Sequence, residues 1–455
     1  MKGRCTALLF GVLLSAQGLA QESDSATDTS PSLDMTQPLD LSNLNLSAPG
    51  GLGLEAPETN DIAPNAYRFT LGYELSALTK DWSELVNNRS WIRFEYSKFF
   101  SNNLYVRLDT KQNVYWSQDH RAEALDRTVY FENSTPEAFV QYSRPDGQTA
   151  FRLGVQRMIW GESQAGAITD EVSPRNLSEL FLVPLEESRL GQFMLSVDHF
   201  SSIGDFTAFY VPRPRFNKYG DEDTAYYLDP FDGQAYVHDV VGSDRNEYGM
   251  RWRKAYSGSD ISLMAASLID NDYAMRYGGV DADGRLHMTR LANRIGMVGG
   301  AFNYASGKFL YRGELAYKSG RLFSDTNYQL VEKDVIDAAL GFTYSLGGSN
   351  TIGMEVVNSH VVDWDRSITG VPRDTTSLVL DANLFFLNDM LSVSWLTVFT
   401  QPYTSIQTSI RTAYKWSDNL TYSLDLHALA VPDKNNALYP FRDMHQVVLR
   451  AEYRF

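Results

Sequence analysis

From Tyr67 onward, apolar and polar residues change places at almost every step. Tyr67, Phe69, Leu71, Tyr73 and Leu75 fall on one side of an extended chain and Arg68, Thr70, Gly72 and Glu74 on the other, because successive side chains of a β-strand point to opposite faces. The pattern returns at Ile92, Phe94 and Tyr96, at Leu104, Val106 and Leu108, and near the end at Leu378–Leu384, Leu391–Trp395 and Leu420–Leu426. About eighteen such strands of roughly 9 to 13 residues follow one another, the length a tilted strand needs to cross a bilayer. A water-soluble protein would have to hide this many Tyr, Leu and Val on a face with no second sheet to cover it.

The connections carry a second, independent signal. Tight-turn residues stand at Ser101-Asn102, Pro145-Asp146-Gly147, Ser257-Gly258-Ser259, Ser306-Gly307, Gly347-Gly348, Leu387-Asn388-Asp389 and Ser417-Asp418-Asn419, all suited to hairpins. Between them lie mostly longer connections, the largest near 157–190, 214–244 and 270–291. The expected fold is all-β: a transmembrane antiparallel up-and-down β-barrel of about 18 strands over residues 66–455, with short periplasmic turns and long extracellular loops.

The last strand alternates Val447, Leu449, Ala451, Tyr453 and Phe455 with Gln446, Val448, Arg450, Glu452 and Arg454. A strand ending in this way resembles the closing strand of Gram-negative outer-membrane barrels, and the resemblance implies that Tyr453 and Phe455 are read by the barrel assembly machinery. At the other end, a basic start, a short apolar run and the small residues Gly18 and Ala20 read as a signal peptide over 1–20. Residues 21–65 are rich in Ser, Asp, Thr and Pro, and no Lys or Arg occurs between Arg4 and Arg68. Such a segment does not bury enough apolar surface to order itself, so it reads as a disordered acidic periplasmic tail, with Leu39–Leu54 as its one candidate docking stretch. The only cysteine is Cys5, which leaves the processed chain without disulfides. A net charge of -16 excludes nucleic acid as a partner.

A barrel of this strand number encloses water rather than a packed core, with a backbone diameter on the order of 35 Å. Alternation turns Arg68, Arg93, Arg107, Lys111, Arg152, Arg251, Arg253, Arg312, Lys318, Arg411, Lys415, Arg450 and Arg454 inward. They face Glu74, Glu95, Asp109, Glu314, Glu355, Asp381, Asp425 and Glu452. Cross-strand ion pairs that stiffen a wet wall account for most of these positions. An excess of Arg at one depth is the alternative, and it would select anions; Arg93, Arg107, Arg152, Arg251, Arg253, Arg312, Arg411 and Arg450 are its candidates.

One stretch departs from the hairpin pattern: Arg152-Leu153-Gly154-Val155-Gln156, then Trp160-Gly161-Glu162, then Asp170 and Ser173-Pro174-Arg175-Asn176-Leu177. This R-x-G-x-Q strand running into W-G-E resembles an uncharacterised proteobacterial outer-membrane barrel family and, more distantly, the alginate-export barrels. The resemblance implies a pore-entering loop and a product-export role, although the alginate exporters have arginine-dominated pores and the wall here is mixed in sign. Physically, Trp160 pins the turn and Gly161 supplies an unusual backbone angle. Glu162, Asp170, Arg175 and Arg189 then pair with wall charges to hold a constriction.

The remaining candidates are weaker. Asp221, Glu222, Asp223, Asp229 and Asp232, and Asp270, Asp272, Asp281 and Asp283, form two acidic runs that read as solvated loop charge, since neither has calcium-loop spacing. Seven His lack metal-ligand spacing, and no nucleophile, base and orienter stand out. The expectation is therefore a monomeric outer-membrane channel, not an enzyme, without cofactor or metal, in contact with outer-membrane lipid and lipopolysaccharide. Its alternatives are a non-conducting scaffold and a gated export conduit with a periplasmic partner.

Overall fold

A computed structural model describes residues 66–163, 168–184, 187–228, 231, 233–241 and 245–455. The expected signal peptide, acidic tail and Leu39–Leu54 stretch lie outside the described residues. The wall begins with β1 (Ala66–Leu78), β2 (Asp81–Ser101), β3 (Leu104–Trp116), β4 (Val129–Ser143) and β5 (Thr149–Gln156). The chain then leaves it, forms the two-residue β6 (Asn176–Leu177), and returns as β7 (Gln192–Ser201) and β8 (Gly204–Val211). A second departure contains β9 (Lys218–Tyr219) and β10 (Ala235–Val241) before β11 (Glu247–Tyr256) and β12 (Ser259–Ile269).

A third departure holds β13 (Ala274–Val280) and β14 (Leu286–Leu291), which make a three-stranded sheet with β10. Eight more strands continue the wall: β15 (Arg294–Ser306), β16 (Phe309–Ser324), β17 (Leu330–Gly347), β18 (Asn350–Val361), β19 (Asp374–Phe386), β20 (Leu391–Gln401), β21 (Ser405–Lys415), and β22 (Leu420–Ala430). β23 (Gln446–Arg454) then pairs antiparallel with β1 and closes an 18-stranded barrel. The final residue takes part: Phe455 and Phe69 exchange backbone hydrogen bonds of 2.8 and 2.9 Å, and their rings stack at 5.5 Å.

The alternation sorts as expected. Leu71, Tyr73, Leu153, Leu195, Leu263, Leu340 and Leu449 are exposed on the outer surface, while Glu74, Glu95, Asp109, Glu314 and Glu355 are buried inside. The rims also differ. One carries only the connections 102–103, 144–148, 202–203, 257–258, 307–308, 348–349, 387–390 and 416–419, whereas the other carries 117–128, 157–191, 212–246 and 270–293. Gly258 and Gly307, at φ +78° and +60°, make two-residue turns that another residue would strain.

Two expectations need correction. Strand lengths run well past 13 residues, to 21 in β2 and 18 in β17, because hairpins continue beyond the span a bilayer demands. The second is that neither 214–244 nor 270–291 is a wholly external, solvated loop. Asp270 is buried and paired with Arg321 at 3.1 Å, and Tyr226 is buried as well.

Candidate functional site

The connection 157–191 folds back into the barrel. Its apolar residues Trp160, Ile168, Val172, Leu177, Leu180 and Phe181 join one buried cluster with inward-facing Phe209, Met264, Leu268, Ile295, Met297, Val357, Val379 and Leu396. Trp160 packs edge-on against Phe209, with ring centroids 5.2 Å apart. Burying this stripe is what holds the segment inside, at about 25 cal/mol per Å² of apolar surface removed from water.

Polar contacts then fix its position across the lumen. The Glu314 carboxylate on β16 accepts hydrogen bonds from the backbone N–H groups of Glu162 (2.8 Å), Ser163 (2.8 Å) and Thr169 (2.6 Å), and from the Thr169 hydroxyl (2.5 Å). Further ion pairs reach other sectors of the wall. Glu171 meets Lys318 (2.5 Å), Glu187 meets Lys111 (2.5 Å), and Glu179 pairs with Arg89. Burial alone would raise the Glu171 carboxyl, but Lys318 and Arg321 hold it at about 2. Arg89 likewise keeps Glu179 well below the usual carboxylate range against the effect of burial.

The structure brings the six loop residues picked from sequence into one region but redistributes their work. Asp170 accepts from the Trp160 N–H (3.2 Å) and pairs with Arg189, so this pair lies within the loop and not against the wall. Glu162 contributes its backbone N–H. Arg175 is buried without an ion pair among the described residues, and burial, with Arg189 nearby, lowers it to about 10. Gly161 is not needed for an unusual angle. A Cβ there would stand 2.9 Å from the Asp170 Cβ and 3.1 Å from Glu314 Oε1, so its role is close approach. The carboxylates that do reach the wall, Glu171, Glu179 and Glu187, were missed. Their one signal was the inward Lys111, whose cross-strand neighbours Arg93 and Ser134 include no acid; Lys318 already meets Asp337 on β17 at 2.8 Å.

The second departure also turns inward. β9 pairs with β6 in parallel, the Gln446 amide on β23 donates to the buried Tyr226 hydroxyl at 2.6 Å, and the Ala225 N–H donates to His120 Nδ1 at 3.2 Å. Asp272 receives the Asn217 amide at 2.8 Å and the Tyr219 hydroxyl; burial, with Asp270 beside it, raises its carboxyl to about 7.

Between these in-folded segments and the wall of β1–β4, β21 and β23 lies a cavity of about 650 Å³. Arg68, Arg89, Arg93, Lys111, Arg121, Arg189, Arg213, Arg215, Lys218, Arg411, Arg450 and Arg454 line it, against Glu74, Glu95, Glu132, Glu179, Glu187 and Glu452. Cations thus outnumber carboxylates two to one there, although the whole chain is acidic. Of the eight wall arginines picked from sequence, Arg93, Arg411 and Arg450 line this cavity. Arg93 forms a double contact with Asp109 (2.8 and 2.9 Å), Arg411 lies 3.7 Å from Asp425, and Arg450 pairs with Glu74 and Asp425. The other five sit elsewhere on the inner wall. Arg107 pairs with Glu95 (3.3 Å), Arg152 with Asp198 (3.0 Å), Arg253 with Asp260 (3.2 Å) and Arg312 with Glu355 (3.2 Å), and Arg251 approaches the Ile159 carbonyl at 3.5 Å.

Residues 67–433 match the model of a family described as "Protein of unknown function (DUF1302)". The chain belongs to this family. No curated protein matches this chain. Among solved structures it is similar to OccAB4 of Acinetobacter baumannii, at 9% identity and TM-score 0.49 over 88% of this chain and 100% of that one. It is similar to OccK10 (OpdN) of Pseudomonas aeruginosa at 11% identity and TM-score 0.48, over 86% of this chain and 99% of that one. An anion-selective porin from Comamonas acidovorans matches at 11% identity and TM-score 0.41, over 86% and 99% respectively.

Proposed function

We propose that this DUF1302 protein is a diffusion channel in the outer membrane of a Gram-negative bacterium, with the connection 157–191 as its constriction and a preference for anions. The observation that carries this reading is the eccentric basic cavity left beside the in-folded segments. A wide wet barrel has been narrowed on one side, and cations concentrate where the gap remains, which lowers the barrier for negative solutes. In this reading the short-turn rim is periplasmic and the long-loop rim external. Residues 1–20 are a signal peptide, 21–65 a periplasmic tail, and Tyr453 and Phe455 the assembly signal. Trp160, Gly161, Glu162, Asp170, Arg175 and Arg189 shape the constriction.

A gated export conduit is the second reading. The buried ion pairs and hydrogen bonds that hold the loop against the wall support it. Single-channel recording of the refolded protein in a planar bilayer separates the two, beside a variant lacking Gly161–Glu187. Large steps from the intact chain, with a reversal potential displaced toward that of chloride, are expected. Silence that the deletion converts to large steps would favour the gated conduit. Silence from both would end the channel reading and leave a scaffold.

A further inference from the structure

The wall strand β8 ends at Val211 and the chain turns inward as Pro212-Arg213-Pro214-Arg215. Each proline fixes its own φ, and Val211 and Arg213, each preceding a proline, are kept out of the helical region. The segment is therefore a stiff extended comb. Pro214 is buried, while Arg213 and Arg215 are exposed to the cavity that both line. Arg215 is also positioned. Its backbone N–H donates to Gln192 Oε1 at 3.1 Å, and its Nη1 donates to the Gly191 carbonyl at 2.9 Å.

The charges around the cavity divide unevenly. Arg89 faces Glu74 and Glu179, Lys111 faces Glu187, and Arg121 and Lys218 share Glu132. Neither Arg213 nor Arg215 meets a carboxylate among the described residues. The cavity's cationic excess therefore includes two guanidinium groups on a preorganised backbone, so that only side-chain ordering remains when a ligand arrives. Trp91, Tyr115, Val183 and Leu190 add apolar surface to the same cavity, whose volume suits a small organic molecule.

We infer that Arg213 and Arg215 form a binding subsite for a small organic carboxylate, whose oxygens match the guanidinium fork and whose carbon body lies on the apolar lining. The inference rests on the channel reading only in making the cavity part of a permeation route. Binding is therefore measured separately from conduction, by ligand-observed saturation-transfer NMR on the full barrel in nanodiscs, with butyrate, 1-butanol and inorganic phosphate as probes. Butyrate is expected to bind more tightly than phosphate, and 1-butanol not to bind.

The pair of substitutions Arg213→Gln and Arg215→Gln should weaken butyrate at least about tenfold. Pro212→Ala with Pro214→Ala keeps both charges and should weaken it a few-fold, while Arg366→Gln, an exposed side chain in the 362–373 connection outside the cavity lining, should leave it unchanged. Wild-type affinity in the double arginine variant overturns the subsite, as does equal weakening by Arg366→Gln, which would mean long-range charge alone. Phosphate or 1-butanol binding as tightly as butyrate overturns the ligand class, and an unchanged double proline variant overturns the preorganised comb. Binding without bilayer conductance would sink the channel reading and leave the subsite standing, and conductance without binding would do the reverse.

Discussion

Replacing Glu314 by Gln tests the docking of the inward loop at one atom pair. The carboxylate accepts four hydrogen bonds from the loop, between 2.5 and 2.8 Å, and each bond to a charged acceptor contributes about 1.5–3 kcal/mol. An amide of the same shape keeps one oxygen and turns an NH₂ group toward N–H donors, so about two of the four bonds are lost. The gross loss is roughly 3–6 kcal/mol, and water entering the site recovers part of it. A remaining deficit of about 3 kcal/mol raises the open fraction of this turn about a hundredfold. Hydrogen exchange at the amides of Glu162, Ser163 and Thr169 reads that directly. The strand ladder should be unaffected, because Glu314 makes its wall contacts through backbone pairing with Ala301 and Ala339. Exchange within about threefold of wild type at those three amides would refute the argument that Glu314 latches the loop.

Three further outcomes follow from the same contacts. Lys318→Met removes the ammonium that stands 2.5 Å from Glu171 and 2.8 Å from Asp337, leaving Glu171 only the more distant Arg321 at 3.9 Å; breaking such a buried pair costs about 3–5 kcal/mol, and trypsin should then cut the 157–191 segment far faster. Gly161→Ala places a methyl group against Asp170 and Glu314, an overpacking of about 1–3 kcal/mol that should lower the thermal midpoint for loop release seen by near-ultraviolet circular dichroism. Asp272 has a carboxyl raised by burial and by Asp270 to about 7, against an ordinary value of 3.8. The folded state therefore holds its proton more tightly than the unfolded chain, so its contribution is full below about 4 and is lost as pH rises through about 7. Proteolysis of the 212–228 segment should be faster at pH 8 than at pH 5.5, and Asp272→Asn should flatten the difference.

The wall was legible because a period of two records itself in every strand. Tyr67 to Leu75 and Gln446 to Phe455 assign each residue to a face with no knowledge of its partner strand. The turns were legible because Ser257-Gly258 and Ser306-Gly307 specify backbone angles locally. The in-folded loop was only partly legible. An inward loop near 157–190 was expected from its length and its W-G-E start, but which acid meets which base was not. Asp170 and Glu171 are neighbours in sequence, yet one pairs with Arg189 inside the loop and the other with Lys318 on β16. Irregular chain has no period to assign a side chain to a face. The in-folded half of 212–246 was missed for the same reason, since its acidic residues Asp221, Glu222 and Asp223 resemble solvated loop charge, and they are exposed, while Tyr226 three residues later is buried.

The inner face does contain one long-range instruction, which lies in its composition by sector. From β7 to β20 the inward positions include Met194, Phe209, Met264, Leu268, Ile295, Met297, Val357, Val379, Leu396 and Val398, all buried in one cluster with the loop. On β1–β3 and β23 they include Glu74, Arg89, Arg93, Glu95, Asp109, Lys111 and Arg450. Apolar side chains facing a water-filled lumen would be unfavourable, so the apolar sector has to be covered, and the three longest connections between wall strands follow β5, β8 and β12. The charged sector is stable in water, and the loop meets it only through ion pairs such as Glu179 with Arg89 and Glu187 with Lys111, with the cavity left between them. The position of the cavity, against β1–β4, β21 and β23, is then a consequence of where the wall can afford to remain wet. The same asymmetry predicts that Met264→Glu or Met297→Glu, each placing one charge in the covered sector, should release the 157–191 segment without opening the barrel, whereas Asn113→Glu on β3 should leave it docked. Trypsin cleavage at Arg175 and Arg189 distinguishes the two, and equal protection in all three variants would show that ion pairs such as Lys318 with Glu171, and not apolar cover, decide where the loop lies.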